Sequence, residues 1–239
     1  MKLTKNNIDK TVENLREPLV DFVQQTVRMP SLPDDEHAVQ EFIASKLKTL
    51  ETEVDVFPCQ FEQLKDHPAF CDDGFSPDKR IDVVGRWRGN GNGRSLILNG
   101  HVDVVPTGDE TLWDDSPWSG AVKDVHIYGR GSCDMKAGLS SGIFAMEALK
   151  KLNYKPDGEI LFESVVGEES GGAGTLAAIE RGYSADGAVI LEPTSLRLSP
   201  IQSGALTFRL TVTGKATHAA MKWDGINAIE KSSMLQAAI

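Results

Sequence analysis

The sequence predicts an α/β fold: a mostly parallel sheet with flanking helices, followed by the start of a smaller α+β unit. Segments with apolar residues at helical spacing alternate with short runs that read as strands. The strand-like runs of the middle of the chain end in polar or glycine residues, which places a site beyond the carboxyl ends of the strands. From Leu198 the pattern changes, so residues 1–197 read as a first domain and 198–239 as the beginning of a second.

Ile8, Val12, Leu15, Leu19, Phe22, Val23 and Val27 recur at helical spacing until Pro30 and Pro33, which predicts one helix over about 8–29. A second helix runs from about Glu36 to Leu50, with Val39, Phe42, Ile43, Leu47 and Leu50 inward. Glu53 to Phe57 alternates as a strand, and the polar stretch Cys59 to Asp78 reads as a loop. Arg80 to Trp87 is the next strand. Gly89-Asn90-Gly91-Asn92-Gly93 joins it to Ser95–Asn99, and so short a Gly/Asn turn predicts that the two are antiparallel neighbours. Pro106 to Ser119 is irregular, Val122 to Tyr128 reads as a strand, and a helix follows from about Gly138 to Leu152. Glu159 to Val166 is apolar at its centre, as a strand buried on both faces should be, and Gly167 to Gly172 breaks it. A helix from about Gly174 to Arg181 leads to a second buried strand, Gly187 to Leu191, which ends at Glu192. Leu206 to Val212 alternates strictly, as in a sheet with one solvated face; Gly214 to Asp224 is a loop holding His218, and a helix begins near Ile226.

With 35 acidic against 25 basic residues, the chain carries a formal charge of −10, which opposes binding to nucleic acid or an anionic membrane surface. Cys59, Cys71 and Cys133 are odd in number and lack CxxC spacing, which argues against a disulfide framework or a thiolate zinc site and fits a reducing compartment. The first residues lead into an amphipathic stretch rather than an apolar signal, and no run reaches membrane-spanning length. These features predict a cytoplasmic protein with no membrane and no nucleic-acid partner.

His101 and Asp103, two positions apart after an apolar run, point to the same side of an extended chain. In that arrangement one imidazole nitrogen binds an ion while the carboxylate holds the proton on the other. Further strand ends carry Asp134, Glu168 with Glu169, and Glu192. Each carboxylate alone reads most simply as a surface or capping group; together with an imidazole they form the donor set that zinc accepts in hydrolases. Glu168 and Glu169 need the breaks at Gly167 and Gly171 to face one cleft, where one binds metal and the other serves as general base toward a water the ions acidify. Two Zn²⁺ facing Asp134, Glu169 and Glu192 plus one hydroxide make a neutral cluster, whereas three bare carboxylates in a dry cleft could not all stay ionised.

Gly100-His101-Val102-Asp103-Val104-Val105-Pro106, Tyr128-Gly129-Arg130-Gly131 with Asp134-Met135-Lys136-Ala137-Gly138, Glu168-Glu169-Ser170-Gly171-Gly172 and Glu192-Pro193-Thr194 come in a telling order. In order and spacing they resemble the successive motifs of the dinuclear-zinc aminoacylases and peptidases, the family of acetylornithine deacetylase, succinyl-diaminopimelate desuccinylase and glutamate carboxypeptidase. The resemblance implies a zinc-peptidase-type sheet and a metal-dependent hydrolase acting on the amide bond of an N-acyl amino acid or small peptide, with Zn²⁺ or Co²⁺ as cofactor. It implies that His101 and Glu192 bind one ion, Asp134 bridges two, Glu169 binds the second, Asp103 orients His101 and Glu168 is the general base. Gly214 to Ala220 and Gly225 to Ala228 are similar to the start of the family's inserted dimerisation lid, which implies a homodimer in which His218 reaches the neighbouring active site and steadies the oxyanion.

Met221-Lys222 stand where family lids carry a proline, and Asp124-Val125 where the hairpin usually turns on Asp-Gly; His126 reads as an exposed hairpin residue. The family also supplies a last histidine to the second ion from a later segment, and no histidine follows His218. The expectation is therefore an amino-terminal part of such an enzyme, with a catalytically incomplete fragment as the alternative. Gly138-Leu139-Ser140-Ser141-Gly142 fits the GxSxG pattern of a serine esterase, but no apolar strand leads into it, and Ser140 reads as an early helix residue.

Overall fold

The structure is a computed structural model that describes residues 3–76, 78–204 and 208–237. They divide into two units, residues 1–196 and 197–239. The first unit opens with two helices where the periodicity predicts one. Thr4 caps α1 (Lys5–Asn14) by accepting the Asn7 amide at 3.3 Å, and α2 spans Arg16–Val27. Pro18 is the reason: it has no N–H for the Asn14 carbonyl, and its ring crowds that group, so the helix breaks at Leu15. Pro18 then lies in the first turn of α2, where amides lack helical acceptors anyway.

α3 (His37–Thr49) keeps its predicted face, with Val39, Ile43 and Leu47 fully buried. β1 (Glu53–Pro58) is followed by a one-turn helix, α4 (Phe61–Leu64), inside the segment that reads as loop; buried Phe61 and Leu64 pin it to the core. Then come β2 (Ile81–Trp87) and β3 (Leu96–His101). The stretch before Gly129 whose residue pattern reads as one strand is the hairpin that the resemblance implies, β4 (Ala121–Lys123) and β5 (His126–Tyr128), turning on Asp124 and Val125 at φ 48° and 61°. α5 (Ala137–Lys151), β6 (Ile160–Val165), α6 (Ala173–Glu180) and β7 (Gly187–Ile190) complete the unit.

The main sheet has the order β1-β2-β6-β3-β7. β3 is parallel to β6 and β7, while β2 runs antiparallel to both β1 and β6. β2 and β3 are therefore not the neighbours the short turn predicts: β6 lies between them. The Gly/Asn turn closes over the entry to β6 instead. The amides of Gly91, Asn92 and Gly93 all donate to the Asp157 carbonyl, and a Cβ on Gly158 would sit 1.9 Å from the Arg94 carbonyl oxygen.

Strand alternation assigns the layers. Gly85, Phe162, Ser164 and Gly100 share one face, met by Leu47 of α3 and by Leu139 and Gly142 of α5. The opposite face, with Asp82, receives α6 at Gly174. β6 is buried on both faces as predicted, with Leu161 and Phe162 essentially inaccessible. β7 is not the buried strand its apolar run predicts: it pairs with β3 at one edge, and Val189 and Ile190 remain about half exposed.

In the second unit, Phe208 to Val212 form no strand, and the Leu206 end of that expected strand lies outside the described residues. An alternating run becomes a strand only against a partner edge. Among the described residues of this unit the one pairing is the Lys215–Ile226 bridge. A 3-10 turn (Ala219–Asp224) precedes α7 (Ala228–Gln236), whose start Asn227 caps by accepting the Ile229 and Glu230 amides. Among the described residues no helix is long and apolar enough to cross a membrane.

Gly158→Ala is expected to destabilise the fold by roughly 1–3 kcal/mol through the clash with the turn, read as a lower midpoint in urea. Gly187→Ala, with nothing within 4 Å of the added carbon, should change stability by less than about 0.5 kcal/mol. Equal midpoints for the two variants would show that the turn does not clamp β6.

Candidate metal centre

Because β3, β6 and β7 are parallel, His101, Glu168 with Glu169, and Glu192 emerge at one rim. His101 ends β3 opposite Val165, two residues short of the Gly167 break. The Leu191 amide donates to the Asn99 carbonyl at 3.0 Å, which places Glu192 one residue further on. Asp134 arrives by a different route from the main-sheet strands: it follows the β4–β5 hairpin in a widened helical turn, Ser132–Lys136, where φ −114° and ψ 102° make it extended.

The His101 side chain is fully buried, and its Nε2 has no hydrogen-bond partner. That nitrogen faces Asp134 Oδ1 at 3.3 Å, Glu192 Oε1 at 3.5 Å and Glu168 Oε2 at 3.8 Å. These carboxylates keep 55%, 30% and 45% of their side-chain surface. The imidazole is thus the floor of an open acidic cleft. His101, Asp134 and Glu169 form one set, and His101, Glu168 and Glu192 another, whose ligand atoms lie within 4.8 Å of one another. Proximity alone therefore does not separate a metal-binding role from a basic one for Glu168 and Glu169.

Asp103 lies against His101 Nδ1 with its backbone nearer than its side chain. Its backbone carbonyl accepts from His101 Nδ1 at 2.9 Å, while its carboxylate stands 3.5 Å from that nitrogen. The carboxylate oxygens are engaged elsewhere, accepting the amides of Glu168 at 3.2 Å and Glu169 at 3.1 Å. One fully buried residue so sets both the ring of His101 and the backbone that presents the two glutamates.

The electrostatics call for a cation. Burial first, then the neighbouring Glu192 carboxylate, push Asp134 above the usual range; burial also raises Glu168 and Glu169, with nearby carboxylates adding to it. At His101 burial is the largest influence and favours the neutral ring, yet Asp103, Glu192 and Glu168 outweigh it and push the pKa up to about 11. A divalent ion on Nε2 would replace that proton and relieve the carboxylates at once. An orphaned buried imidazole nitrogen among oxygen donors fits such an ion.

An α/β domain with an imidazole and carboxylates gathered at one rim is the framework of a metal-dependent hydrolase fold. Sequence comparison agrees: the profile described as Peptidase family M20/M25/M40 matches residues 97–231, and the chain belongs to that family. It is 33% identical over 237 residues to an N-formyl-4-amino-5-aminomethyl-2-methylpyrimidine deformylase of Halalkalibacterium halodurans, covering 94% of this chain and 52% of that one. A probable succinyl-diaminopimelate desuccinylase of Staphylococcus aureus is 37% identical over 137 residues, covering 56% of this chain and 34% of that one. The chain spans about a third to a half of the length of these relatives. Among solved structures, human carnosine dipeptidase 1 superposes with TM-score 0.63 at 20% identity, covering 77% of this chain and 40% of that one. A tripeptidase of Staphylococcus aureus gives TM-score 0.59 at 20% identity over 92% and 55%.

His218 belongs to the second unit, where it is exposed and its Nδ1 accepts the Ala220 amide at 3.2 Å. Ser140 is buried in α5 and donates to the Lys136 carbonyl at 2.6 Å, the ordinary behaviour of a helix serine, with no nucleophile elbow around it. His126 is exposed in its hairpin. Sequence reasoning misses the buried charges beneath the rim: Arg80 with Glu36 and Asp73, Asp82 near the start of β2, and Lys136, whose Nζ donates to the carbonyls of Thr26 and Met29. No local pattern marks them, because their partners lie far away in sequence.

Asp82 Oδ1 accepts the Val166 amide at 3.1 Å, and complete burial pushes its pKa up to about 7. Between the ordinary value of 3.8 and about 7 the unfolded chain releases this proton while the folded one keeps it. Asp82 therefore makes stability fall as pH rises through that window, with no contribution below it and a constant penalty above it. Asp82→Asn should remove a slope of about 1.4 kcal/mol per pH unit between pH 5 and 6.5, read from urea unfolding. Parallel stability profiles for the two proteins would refute the buried proton.

Proposed function

We propose that the chain carries the metal-binding part of a hydrolase that cleaves the amide bond of an N-acyl amino acid or small peptide, in the manner of the deacetylases and desuccinylases. The observation that carries this reading is the buried, unpartnered His101 Nε2 facing Asp134, Glu192 and Glu168. The names of the relatives, a deformylase and a desuccinylase, support amide hydrolysis of a small acylated substrate. Zn²⁺ is the occupant this donor set favours, with Co²⁺ as a substitute, and such an ion would supply Lewis acidity toward the carbonyl and lower the pKa of a nearby water.

In this reading His101, Asp134 and Glu192 would hold one ion, and Asp134 with Glu169 would hold a second. Asp103 fixes His101 through the Nδ1 contact. Glu168 takes the proton of the attacking water and returns it to the leaving amine. Residues 1–197 serve as the catalytic domain and 198–239 as the start of a lid that pairs two copies. The His218 imidazole of the second copy steadies the oxyanion. The workplace is the cytoplasm, and neither membrane nor nucleic acid takes part.

Hydrolysis of N-acyl amino acids and dipeptides should vanish with a strong chelator and return with Zn²⁺; activity indifferent to the chelator would sink the proposal. Glu168→Ala should lower turnover by roughly 10²–10⁴-fold with metal content nearly intact, whereas lost metal would mean that Glu168 and Glu169 exchange roles. His101→Ala should lower the bound-metal stoichiometry measured by plasma emission, and an unchanged stoichiometry rejects His101 as a ligand.

A further inference from the structure

Arg80 has no exposed surface, and none of the roles above uses it. It precedes β2, whose antiparallel direction brings its start to the rim where β6 ends: Ile81 faces Pro58, and Val83 faces Ser164. Arg80 Nε donates to Glu36 Oε1 at 3.0 Å, and Nη1 donates to Asp73 Oδ2 at 2.6 Å. The same Asp73 oxygen accepts from Ser170 Oγ at 2.7 Å. A chain of contacts thus runs from the guanidinium to the loop bearing Glu168 and Glu169. Nη2 lies against Gly167, where an added Cβ would come within 2.7 Å of it and where φ +71° already favours glycine.

The Asp103 carboxylate holds the amides of Glu168 and Glu169, which anchors one side of the loop. The Gly171 and Gly172 amides close the turn onto the Glu168 and Gly167 carbonyls, and the Ser170 side chain is what ties that turn to Asp73. Adjacent residues of a loop exchange directions when it turns, so a second anchor decides which glutamate faces which donor. We propose that Arg80, acting through Asp73 and Ser170, is the positioning residue that fixes the Gly167–Gly172 loop so that Glu168 and Glu169 face the ion site together. The inference rests on the roles given to those glutamates under the proposed function. An arginine suits the task because its planar fork meets Glu36 and Asp73 at once, which the single ammonium of a lysine cannot do in the same geometry.

Two measurements on the full chain test it, with Asp73→Asn, Ser170→Ala and Arg80→Lys compared with the parent. Amide hydrogen exchange of the metal-free protein should accelerate at least tenfold over residues 166–174 in Asp73→Asn and Arg80→Lys, and less in Ser170→Ala, with β3 and β6 unchanged. Co²⁺ titration followed by visible absorption should show binding weakened about ten- to a hundredfold in the first two variants. Unchanged loop exchange, or protection lost evenly across the sheet, overturns the proposal. So does faster loop exchange with Co²⁺ affinity intact, the pattern of a merely structural contact. A parent chain that takes up no Co²⁺ overturns the metal-centre reading itself, and that failure is distinct because it occurs before any substitution.

Discussion

The rim of the sheet depends on Asp103. A carboxylate taken wholly out of water is tolerable only when its oxygens are occupied, and here both accept backbone amides. Those amides belong to Glu168 and Glu169, so solvating the buried charge and aiming the two glutamates are one act. The same residue's carbonyl accepts a hydrogen bond from His101 Nδ1, which leaves Nε2 as the nitrogen that faces the cleft. His101, Glu168 and Glu169 are therefore referred to a single buried group on one side of the loop, while the Ser170–Asp73 contact ties the loop on the other.

The strand order turns this local device into a site. With β6 in the centre, β3 and β7 deliver His101 and Glu192 beside the end of β6, and parallel pairing puts all of them at one edge. β2 enters from the opposite direction, so it contributes its beginning to the edge where its neighbours end. That is why Arg80 and Asp82 lie beneath the rim although neither follows a strand. A sheet with every strand parallel would have placed that cation at the far edge, away from the carboxylates it now meets.

This topology also explains what the sequence discloses. His101, Glu168, Glu169 and Glu192 stand out because each follows an apolar run, a signal that survives in one dimension, and Asp134 stands out by its place in a spaced motif. Arg80 gives no such signal: its partners Asp73 and Glu36 lie 7 and 44 residues away and share no periodicity with it. The turn at Gly89 to Gly93 misleads for a similar reason. Its length fits a hairpin, but the fact that decides the pairing is the buried Leu161-Phe162 centre of β6, seventy residues later, which claims the middle of the sheet. The first helix fails at Pro18 and the exposed β7 at its edge position, since apolar periodicity reports which residues can be buried and not which are reached by a neighbour.

The buried charges are sorted by depth. Below the rim, Arg80 is matched by Glu36 and Asp73, and burial pushes Glu36 up to about 7, so that this layer needs no further cation. Lys136, two residues from Asp134, is matched instead by the carbonyls of Thr26 and Met29 at and just past the end of α2, and burial lowers its pKa to about 7. Above the rim, burial acts first on Asp134, Glu168 and Glu169; after it, the positive group that bears on them is the His101 ring, and the remaining charges are carboxylates. A structure that neutralises its floor and leaves its mouth acidic has arranged where a positive ion belongs, and the orphaned Nε2 fixes the depth at which it would stop.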